Sequence, residues 1–220
     1  HAGPLFIHQL SHVWLDLKGI RDGVMQAADM DYFENSRRAT YVQQAYAVDN
    51  PKGFREYGEY TWGITASAGP GDRRCRVDGR ERQFYGYLAR GVPEGPDDGT
   101  LSPWAVVASL PFAPAIVLPT IQHYDEVYPQ MRHAYGFRCS FNPTFPSHAP
   151  GRAGWVSNGY YGLNQGPIVL MIENYRTGLI WSLVKECPYV VRGLRRAGFR
   201  GGWLSRSDVG RPGDGGGGEV

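Results

Sequence analysis

The stretch Phe6-Ile-His-Gln-Leu-Ser-His-Val-Trp-Leu-Asp-Leu17 lies near the start of the chain. Its apolar residues recur at intervals of three and four, which predicts an amphipathic helix with one face in a core. His8, His12 and Asp16 follow one another at intervals of four and share a single polar stripe, with Gln9 beside it. We expect this stripe either to line a polar cavity or to pack helix against helix through hydrogen bonds.

Caps and prolines predict the other helices of an all-α fold. Asp31 followed by Glu34 has the form of a capping box, and Ser102-Pro103 forms an N-cap and N1 pair. Pro119 predicts a kink inside its helix. The predicted helices begin at Asp31, Pro103, Pro114, Pro167 and Pro188 and end near Val48, Leu110, Tyr128, Lys185 and Ala197.

The segment between Tyr57 and Gly99 is rich in glycine and proline and is predicted to be a long loop with a hairpin at Asp78-Gly79. Long ordered loops in compact domains are usually functional. The sequence therefore predicts one all-α domain over residues 1–203, with small β pieces in its loops. Residues 204–220 are rich in glycine and are predicted to form a flexible tail.

Composition favours a neutral partner, or none, over a charged one. The chain has 220 residues, 42% of them hydrophobic, and a formal net charge of +2. That charge is too small to indicate binding to nucleic acid or to an anionic membrane, and no stretch approaches the ~18 apolar residues of a membrane span. Aromatic residues make up 13% of the chain, and stacking on sugar rings is one use of such a surplus besides core packing.

Metal binding is not predicted. His8 and His12 have the spacing of zinc-binding helices, but Gln9 stands where a metalloprotease needs a glutamate, and no third ligand is marked. Three widely spaced cysteines without a CxxC pair indicate neither a zinc site nor a disulfide framework.

Hydrolysis of a glycosidic bond needs two carboxyl groups on opposite sides of that bond. The sequence alone selects no pair from its candidates, which are Asp16, Asp22, Glu34, Asp49, Glu59, Asp97, Asp98 and Glu173. Asp97 and Asp98 have the alternative of forming a turn before Gly99. Glu59, Tyr60 and Trp62 precede a Gly-Pro-Gly turn and suit sugar binding, although Trp62 could equally be a core residue.

Several long phrases give the chain a resemblance to a known family. They are Phe6-Ile-His-Gln-Leu-Ser-His-Val-Trp, Asp31-Tyr-Phe-Glu-Asn-Ser-Arg-Arg, Tyr60-Thr-Trp-Gly-Ile-Thr-Ala-Ser, Pro96-Asp-Asp-Gly-Thr and Gly162-Leu-Asn-Gln-Gly-Pro-Ile-Val-Leu-Met-Ile-Glu-Asn-Tyr. From Gly3 to about Trp203 the chain resembles the glucoamylase-like domain family, which is similar to the transglycosylation domain of cyclic β-1,2-glucan synthases. The resemblance implies an (α/α)6 toroid, of which this chain would be the C-terminal half, and a glycosidase or transglycosylase active on β-1,2-glucan in a bacterial envelope, without metal or cofactor.

The resemblance also implies roles for particular residues. In the family, an upstream Asn-Glu motif supplies the general acid and has no counterpart here, so the fragment is expected to be inactive alone. The second carboxylate would be Asp49 or Glu34, with Glu59 next. The positions expected to bind sugar are His8, Gln9, His12, Asp16, Arg37, Arg38, Tyr60, Trp62, Asn164 and Gln165.

One departure from the family pattern bears on activity. Related sequences commonly read Thr-Ala-Ser-Asp-Gly-Pro, whereas this chain reads Thr65-Ala-Ser-Ala-Gly-Pro70. Alanine at position 68 removes an acidic group from the expected cleft. The alternatives left by the sequence are therefore a glycosidase, a non-catalytic glucan-binding protein and a purely structural helical domain.

Overall fold

The computed structural model describes residues 3–146 and 151–206, which form a mostly helical fold with small sheets. The helices within these ranges are α1 Leu10–Trp14, α2 Gly23–Ala27, α3 Tyr32–Asp49, α4 Pro103–Val107, α5 Pro114–Val127, α6 Gly162–Arg176, α7 Leu179–Lys185, α8 Pro188–Arg196 and α9 Gly202–Arg206. Four antiparallel pairs, β1 with β4, β2 with β3, β5 with β6 and β7 with β8, are built from β1 Ala66–Ser67, β2 Arg73–Val77, β3 Arg80–Phe84, β4 Leu88–Ala89, β5 Arg132–His133, β6 Gly136–Phe137, β7 Phe141–Asn142 and β8 Trp155–Val156. The predicted all-α class with small β pieces is confirmed.

The limits of α3 follow from its caps. Asp31 Oδ1 accepts a hydrogen bond from the backbone N–H of Glu34 at 2.7 Å, as the capping box predicts. At the other end Asn50 takes the left-handed conformation with φ of 45°, and its N–H donates to the carbonyl of Tyr46 at 2.8 Å. Asparagine adopts this conformation more readily than most residues, so the helix stops here.

The first stretch is not the single helix that its periodicity predicts. It forms a 3-10 turn over Leu5–His8, and α1 ends at Trp14. The carbonyls that a longer helix would use are taken by distant side chains: Trp181 Nε1 donates to His12 O at 2.6 Å, and Asn174 Nδ2 donates to Val13 O at 3.0 Å. These tertiary hydrogen bonds replace the helical ones.

The predicted helix over residues 168–185 is divided in two. α6 begins at Gly162, five residues before Pro167, and ends at Arg176. Gly178 then takes a φ of 69°, and its N–H donates to the carbonyl of Asn174 at 3.1 Å. Glycine adopts a positive φ without a Cβ penalty, which explains why the chain turns here before α7.

The main core lies among α3, α4, α5 and α6. All residues of α4 are buried, and α4 packs against both α5 and α6. Trp62, from the long loop, is fully buried among them with its Nε1 donating to Thr120 Oγ1 at 2.9 Å. Buried aromatic rings contribute large apolar areas, so this loop is part of the core.

A smaller core joins the C-terminal helices to the segment after α1. Its buried members are Leu17, Ile20, Leu194 and Leu204. Because Leu204 is 2% exposed and α9 runs to Arg206, the predicted boundary at residue 203 falls inside a helix. Residues 207–220 of the predicted tail lie outside the described residues. Among residues 3–146 and 151–206, the helices lack an apolar stretch of the length that a bilayer span requires.

Candidate functional site

A cleft of about 370 Å³ opens beside β1 and the first turn of α6. We call it the aromatic cleft; it is lined by Phe6, Leu10, Ala66, Ser67, Ala68, Tyr87, Trp104, Cys139, Tyr161, Leu163 and Asn164. Tyr87 is 76% exposed and Tyr161 is 49% exposed, so both rings are open to a ligand. The volume lies at the low end of the range of about 300–1,000 Å³ that is usual for small-molecule sites.

A buried ion pair supports one wall of the aromatic cleft. The side chains of Arg90 and Asp98 are 0% exposed, and they pair through Nε to Oδ1 at 2.6 Å and Nη2 to Oδ2 at 2.9 Å. Arg90 Nη1 also donates to the carbonyl of Ser67 at 2.9 Å, and Asp98 Oδ2 accepts from the N–H of Tyr85 at 3.0 Å. These further bonds tie β1 to the loop after β3 and satisfy the buried charges.

The rest of this wall is held through its backbone. The side-chain amide of Gln43 pairs with the backbone of Ile64 in the way that a neighbouring strand would. Its Oε1 accepts from the N–H of Ile64 at 2.9 Å, and its Nε2 donates to the carbonyl of Ile64 at 3.1 Å. Ser140 Oγ donates to the carbonyl of Ala68 at 2.6 Å. At Gly69 a Cβ would lie 2.3 Å from the carbonyl oxygen of Tyr85, so the chain passes too closely for any other residue. The wall is therefore fixed before a ligand binds.

Two hydrogen-bond donors of the aromatic cleft have no acceptor among the described residues. They are Nε1 of Trp104 and Nδ2 of Asn164, whose side chains belong to residues only 3% and 6% exposed. Buried polar groups are nearly always paired, and leaving one unpaired costs about 1–3 kcal/mol. Both N–H groups are themselves buried, so an oxygen acceptor of a ligand reaches them only where the side chains shift on binding.

The described lining of the aromatic cleft lacks a carboxyl group. Among the described residues that line it there is no aspartate or glutamate, and position 68 carries only a methyl group. Acid–base cleavage of a glycosidic bond requires two carboxyl groups. The described lining of the cleft therefore offers aromatic rings and amide and hydroxyl groups, but not a carboxyl pair.

Glu34 lies on the surface of α3 in a cluster with two predicted sugar-binding residues. Its Oε2 accepts from Arg37 Nε at 2.6 Å, and its Oε1 accepts from Arg38 Nε at 2.8 Å. Hydrogen bonds from Arg37 and then Arg38 lower the pKa of Glu34 to about 2. The carboxylate is therefore ionised at neutral pH and occupied by arginines, and none of the three residues lines the aromatic cleft.

The other two carboxylate candidates are also outside the aromatic cleft. Asp49 is exposed at the last residue of α3, and Glu59 is exposed in the following loop. Tyr60 is 40% exposed, and its ring centroid lies 5.9 Å from that of His123. Trp62, at 0% exposed, has no surface on which a sugar could stack.

The polar stripe of the first stretch is buried. Gln9 is 0% exposed and donates from Nε2 to the carbonyl of Ala105 at 2.6 Å, which links the 3-10 turn to α4. Asp16 pairs with Lys185 of α7. His8 and His12 are 9% and 3% exposed and border a second cavity of about 320 Å³. Of the two predicted alternatives the structure shows helix packing, because the cavity that the histidines border is lined mainly by apolar side chains.

His12 is held in its neutral form. Its Nε2 lies 3.1 Å from Ser36 Oγ, which itself donates to the carbonyl of Tyr32 at 2.8 Å. Since the serine proton is used, the imidazole is the donor in this contact. Desolvation by burial lowers the pKa of His12 to about 4.

Neither histidine belongs to a metal centre in the described residues, where no group of three or more His, Cys, Asp or Glu side chains is placed to hold an ion. The three cysteines are free thiols. Of the last two predicted residues, Asn164 lines the aromatic cleft, whereas Gln165 donates from Nε2 to the carbonyl of Phe137 at 2.7 Å and fastens β6 to α6.

The sequence reasoning missed most of the cleft-lining residues. Trp104 sits in an apolar run, Pro103-Trp-Ala-Val-Val107, that indicates only core packing. Tyr87 and Tyr161 each follow a glycine-containing loop segment, and an aromatic residue in such a loop is the one signal that could have marked them.

Comparison with known proteins identifies the chain's relatives. An exo-β-1,2-glucooligosaccharide sophorohydrolase (non-reducing end) of Parabacteroides distasonis is 32% identical over 198 residues, which are 89% of this chain and 24% of that protein. A crystal structure of a "putative glucoamylase" from Bacteroides uniformis has a TM-score of 0.75 and 38% identity, covering 92% of this chain and 42% of its own. The structure of an endo-β-1,2-glucanase from Chitinophaga pinensis, solved with sophorotriose and glucose, has a TM-score of 0.73 and 32% identity. The match covers 91% of this chain and 42% of the Chitinophaga chain.

The chain thus spans less than half the length of these relatives, two of which are β-1,2-glucan hydrolases. The family model described as "Putative glucoamylase" matches residues 1–188, which is most of the 220-residue chain. The chain therefore belongs to this glucoamylase family.

Proposed function

We propose that this chain is the glucan-binding part of a glycoside hydrolase or transglycosylase that acts on β-1,2-linked glucose chains. The observation that carries the proposal is the chemistry of the aromatic cleft, whose lining combines two exposed tyrosine rings with two residues that each hold a buried N–H donor without a partner among the described residues. A pyranose ring presents apolar C–H faces to aromatic side chains and oxygen acceptors to N–H groups. The activities named for the Parabacteroides and Chitinophaga relatives support β-1,2-glucan as the polymer.

The carboxyl chemistry is proposed to come from outside the aromatic cleft of this chain. The whole protein would be an (α/α)6 toroid, and its N-terminal half would supply the general acid. Coverage of only 42% of the solved relatives supports this division. Asp49, Glu34 and Glu59 remain the candidates within this chain for a second carboxylate, with the bound arginines counting against Glu34.

A second candidate function is glucan binding without catalysis. The observation that favours it is the absence of a carboxylate from the described lining of the aromatic cleft, with alanine at position 68. Both functions predict that β-1,2-gluco-oligosaccharides bind in the cleft. They differ in whether the bound chain is cleaved or transferred.

The test is incubation of the protein in its full encoded length with linear β-1,2-glucan, measuring reducing ends and product size, with β-1,3- and α-1,4-glucans as controls. The variant Ala68→Asp is assayed beside Ala45→Asp, which adds the same carboxylate at an exposed site on α3. Turnover of β-1,2-glucan alone supports a glycosidase, and turnover that requires Ala68→Asp supports the binding protein. Absence of both turnover and calorimetric binding with every glucan would refute both functions.

A further inference from the structure

Three aromatic side chains meet at the surface of the β5–β6 hairpin, outside the aromatic cleft. The ring centroid of Tyr160 lies 5.1 Å from that of His133 and 6.0 Å from that of Tyr135, and the last two are 5.9 Å apart. We call these three residues the tyrosine platform. Arg138 braces it, with its guanidinium carbon 5.7 Å from the centroid of the Tyr160 ring.

The tyrosine platform is open to solvent. Tyr135 is 72% exposed, His133 is exposed, and Tyr160 is half-buried. Single exposed aromatic residues are ordinary, but a contiguous exposed group that is held in mutual contact indicates a binding surface. The rings of Tyr135 and His133 present apolar faces and polar tips, which suits a sugar ring better than a wholly apolar partner, whereas Tyr160 contributes only its ring because its hydroxyl is buried.

The tyrosine platform and the aromatic cleft share a wall. Tyr160 directly precedes Tyr161, which lines the cleft, and Cys139 of the cleft donates its N–H to the carbonyl of Gly159 at 3.1 Å. The bond from Gln165 to the carbonyl of Phe137 joins the hairpin to the first turn of α6, where two other cleft residues lie. A chain that leaves the cleft past Tyr161 therefore meets the hairpin next.

We propose that the tyrosine platform is a second saccharide-binding surface, which stacks glucose residues of a glucan chain that extends beyond the aromatic cleft. The cleft volume of about 370 Å³ holds only a short piece of a polymer, so a longer chain must continue over the adjoining surface. This inference rests on the proposed function and adds a preference for long chains. The platform binds substrate and takes no part in the chemistry.

The test is calorimetric titration of the full-length protein with β-1,2-gluco-oligosaccharides of increasing length. The variant Tyr135→Ala is compared with Tyr189→Ala, in which a tyrosine of similar exposure, 77%, is removed from α8. Tyr135→Ala is expected to raise Kd for long chains by about 2- to 12-fold, the equivalent of one aromatic contact, and to leave Kd for the shortest bound oligosaccharide unchanged. Tyr189→Ala is expected to leave Kd unchanged for long and short chains alike.

Equal weakening at every length, or no weakening at any length, would overturn the tyrosine platform while leaving the proposed function in place. If the unaltered protein binds no oligosaccharide of any length, the proposed function fails and the platform falls with it. Matching thermal melts of both variants and the parent exclude unfolding as the cause. His133→Ala repeats the test from the neighbouring ring and is expected to give the same dependence on length.

Discussion

Trp62 and Trp104 provide a matched test of the aromatic cleft. Both indoles are at least 97% buried, but Nε1 of Trp62 donates to Thr120 Oγ1 at 2.9 Å, whereas Nε1 of Trp104 has no acceptor among the described residues. Replacing each with phenylalanine removes the same atoms from a buried site. The two variants therefore differ mainly in the hydrogen bonding that they lose.

We expect Trp62→Phe to be the more destabilising of the two. It forfeits a hydrogen bond worth about 0.5–1.5 kcal/mol, while Trp104→Phe removes an unpaired buried donor whose burial costs about 1–3 kcal/mol. The two terms add to a difference of about 1.5–4.5 kcal/mol in the free energy of unfolding. For a chain of this length that difference corresponds to about 3–18 °C in Tm.

Oligosaccharide binding should rank the variants in the opposite order. If Trp104 donates its N–H to a sugar oxygen, Trp104→Phe raises Kd by about 2- to 12-fold, and Trp62→Phe leaves it unchanged. Thermal melts and titration calorimetry with a β-1,2-gluco-oligosaccharide measure the two effects separately. The reasoning is refuted if Trp104→Phe lowers Tm as much as Trp62→Phe and leaves the affinity unaltered.

Two further predictions concern stability. Asp98→Asn leaves the buried charge of Arg90 without its partner and should cost about 3–5 kcal/mol in denaturant unfolding, whereas Asp78→Asn, which breaks an ion pair with both side chains 49% exposed, should cost less than about 1 kcal/mol. Equal losses would contradict this account. His12 stays neutral in the folded protein down to a pKa of about 4, while the unfolded chain protonates it near 6.5. The contribution of neutral His12 to the free energy of unfolding is complete above pH 6.5 and is lost as the pH falls toward 4. The loss amounts to at most about 3 kcal/mol. The fall of Tm between pH 6.5 and pH 4 should be smaller in His12→Gln than in the parent and unchanged in the exposed control His133→Gln. An equal fall of Tm in all three proteins would count against the burial of a neutral imidazole.

Structural features that depend on residues close in sequence could be predicted from the sequence. The cap of α3 at Asp31 depends on residues within one turn, as does the hairpin at Asp78-Gly79, and both form as predicted. The expected turn at Asp97 and Asp98 also forms, since Asp97 Oδ1 accepts from the N–H of Gly99 at 3.0 Å. A similar local signal was available at Glu34, because arginines three and four residues later predict ion pairs on a helix surface.

Structural features that depend on contacts between residues far apart in sequence could not be predicted. α1 ends early because Trp181, 169 residues away, takes the carbonyl of His12. The aromatic cleft likewise assembles residues 6, 10, 66–68, 87, 104, 139, 161, 163 and 164 from separate elements. Periodicity marks Phe6 and Trp104 only as apolar, and whether such a residue faces a core or a cleft is settled by tertiary packing. The family resemblance therefore supplied two cleft residues, Asn164 from the predicted sugar-binding set and Ala68 as the departure in the expected cleft.

The way in which the wall of the aromatic cleft is held explains why the side chain at position 68 can change without loss of the wall. Ser67 and Ala68 are fixed through their carbonyl oxygens, by Arg90 and Ser140 respectively. The side chain of residue 68 carries none of these bonds and borders the cleft. A change between a methyl group and a carboxylate at this position therefore alters the chemistry of the cleft without removing a contact that supports it. For this reason Ala68→Asp should fold as the parent does, and any turnover that it gains or fails to gain reports on chemistry rather than on stability.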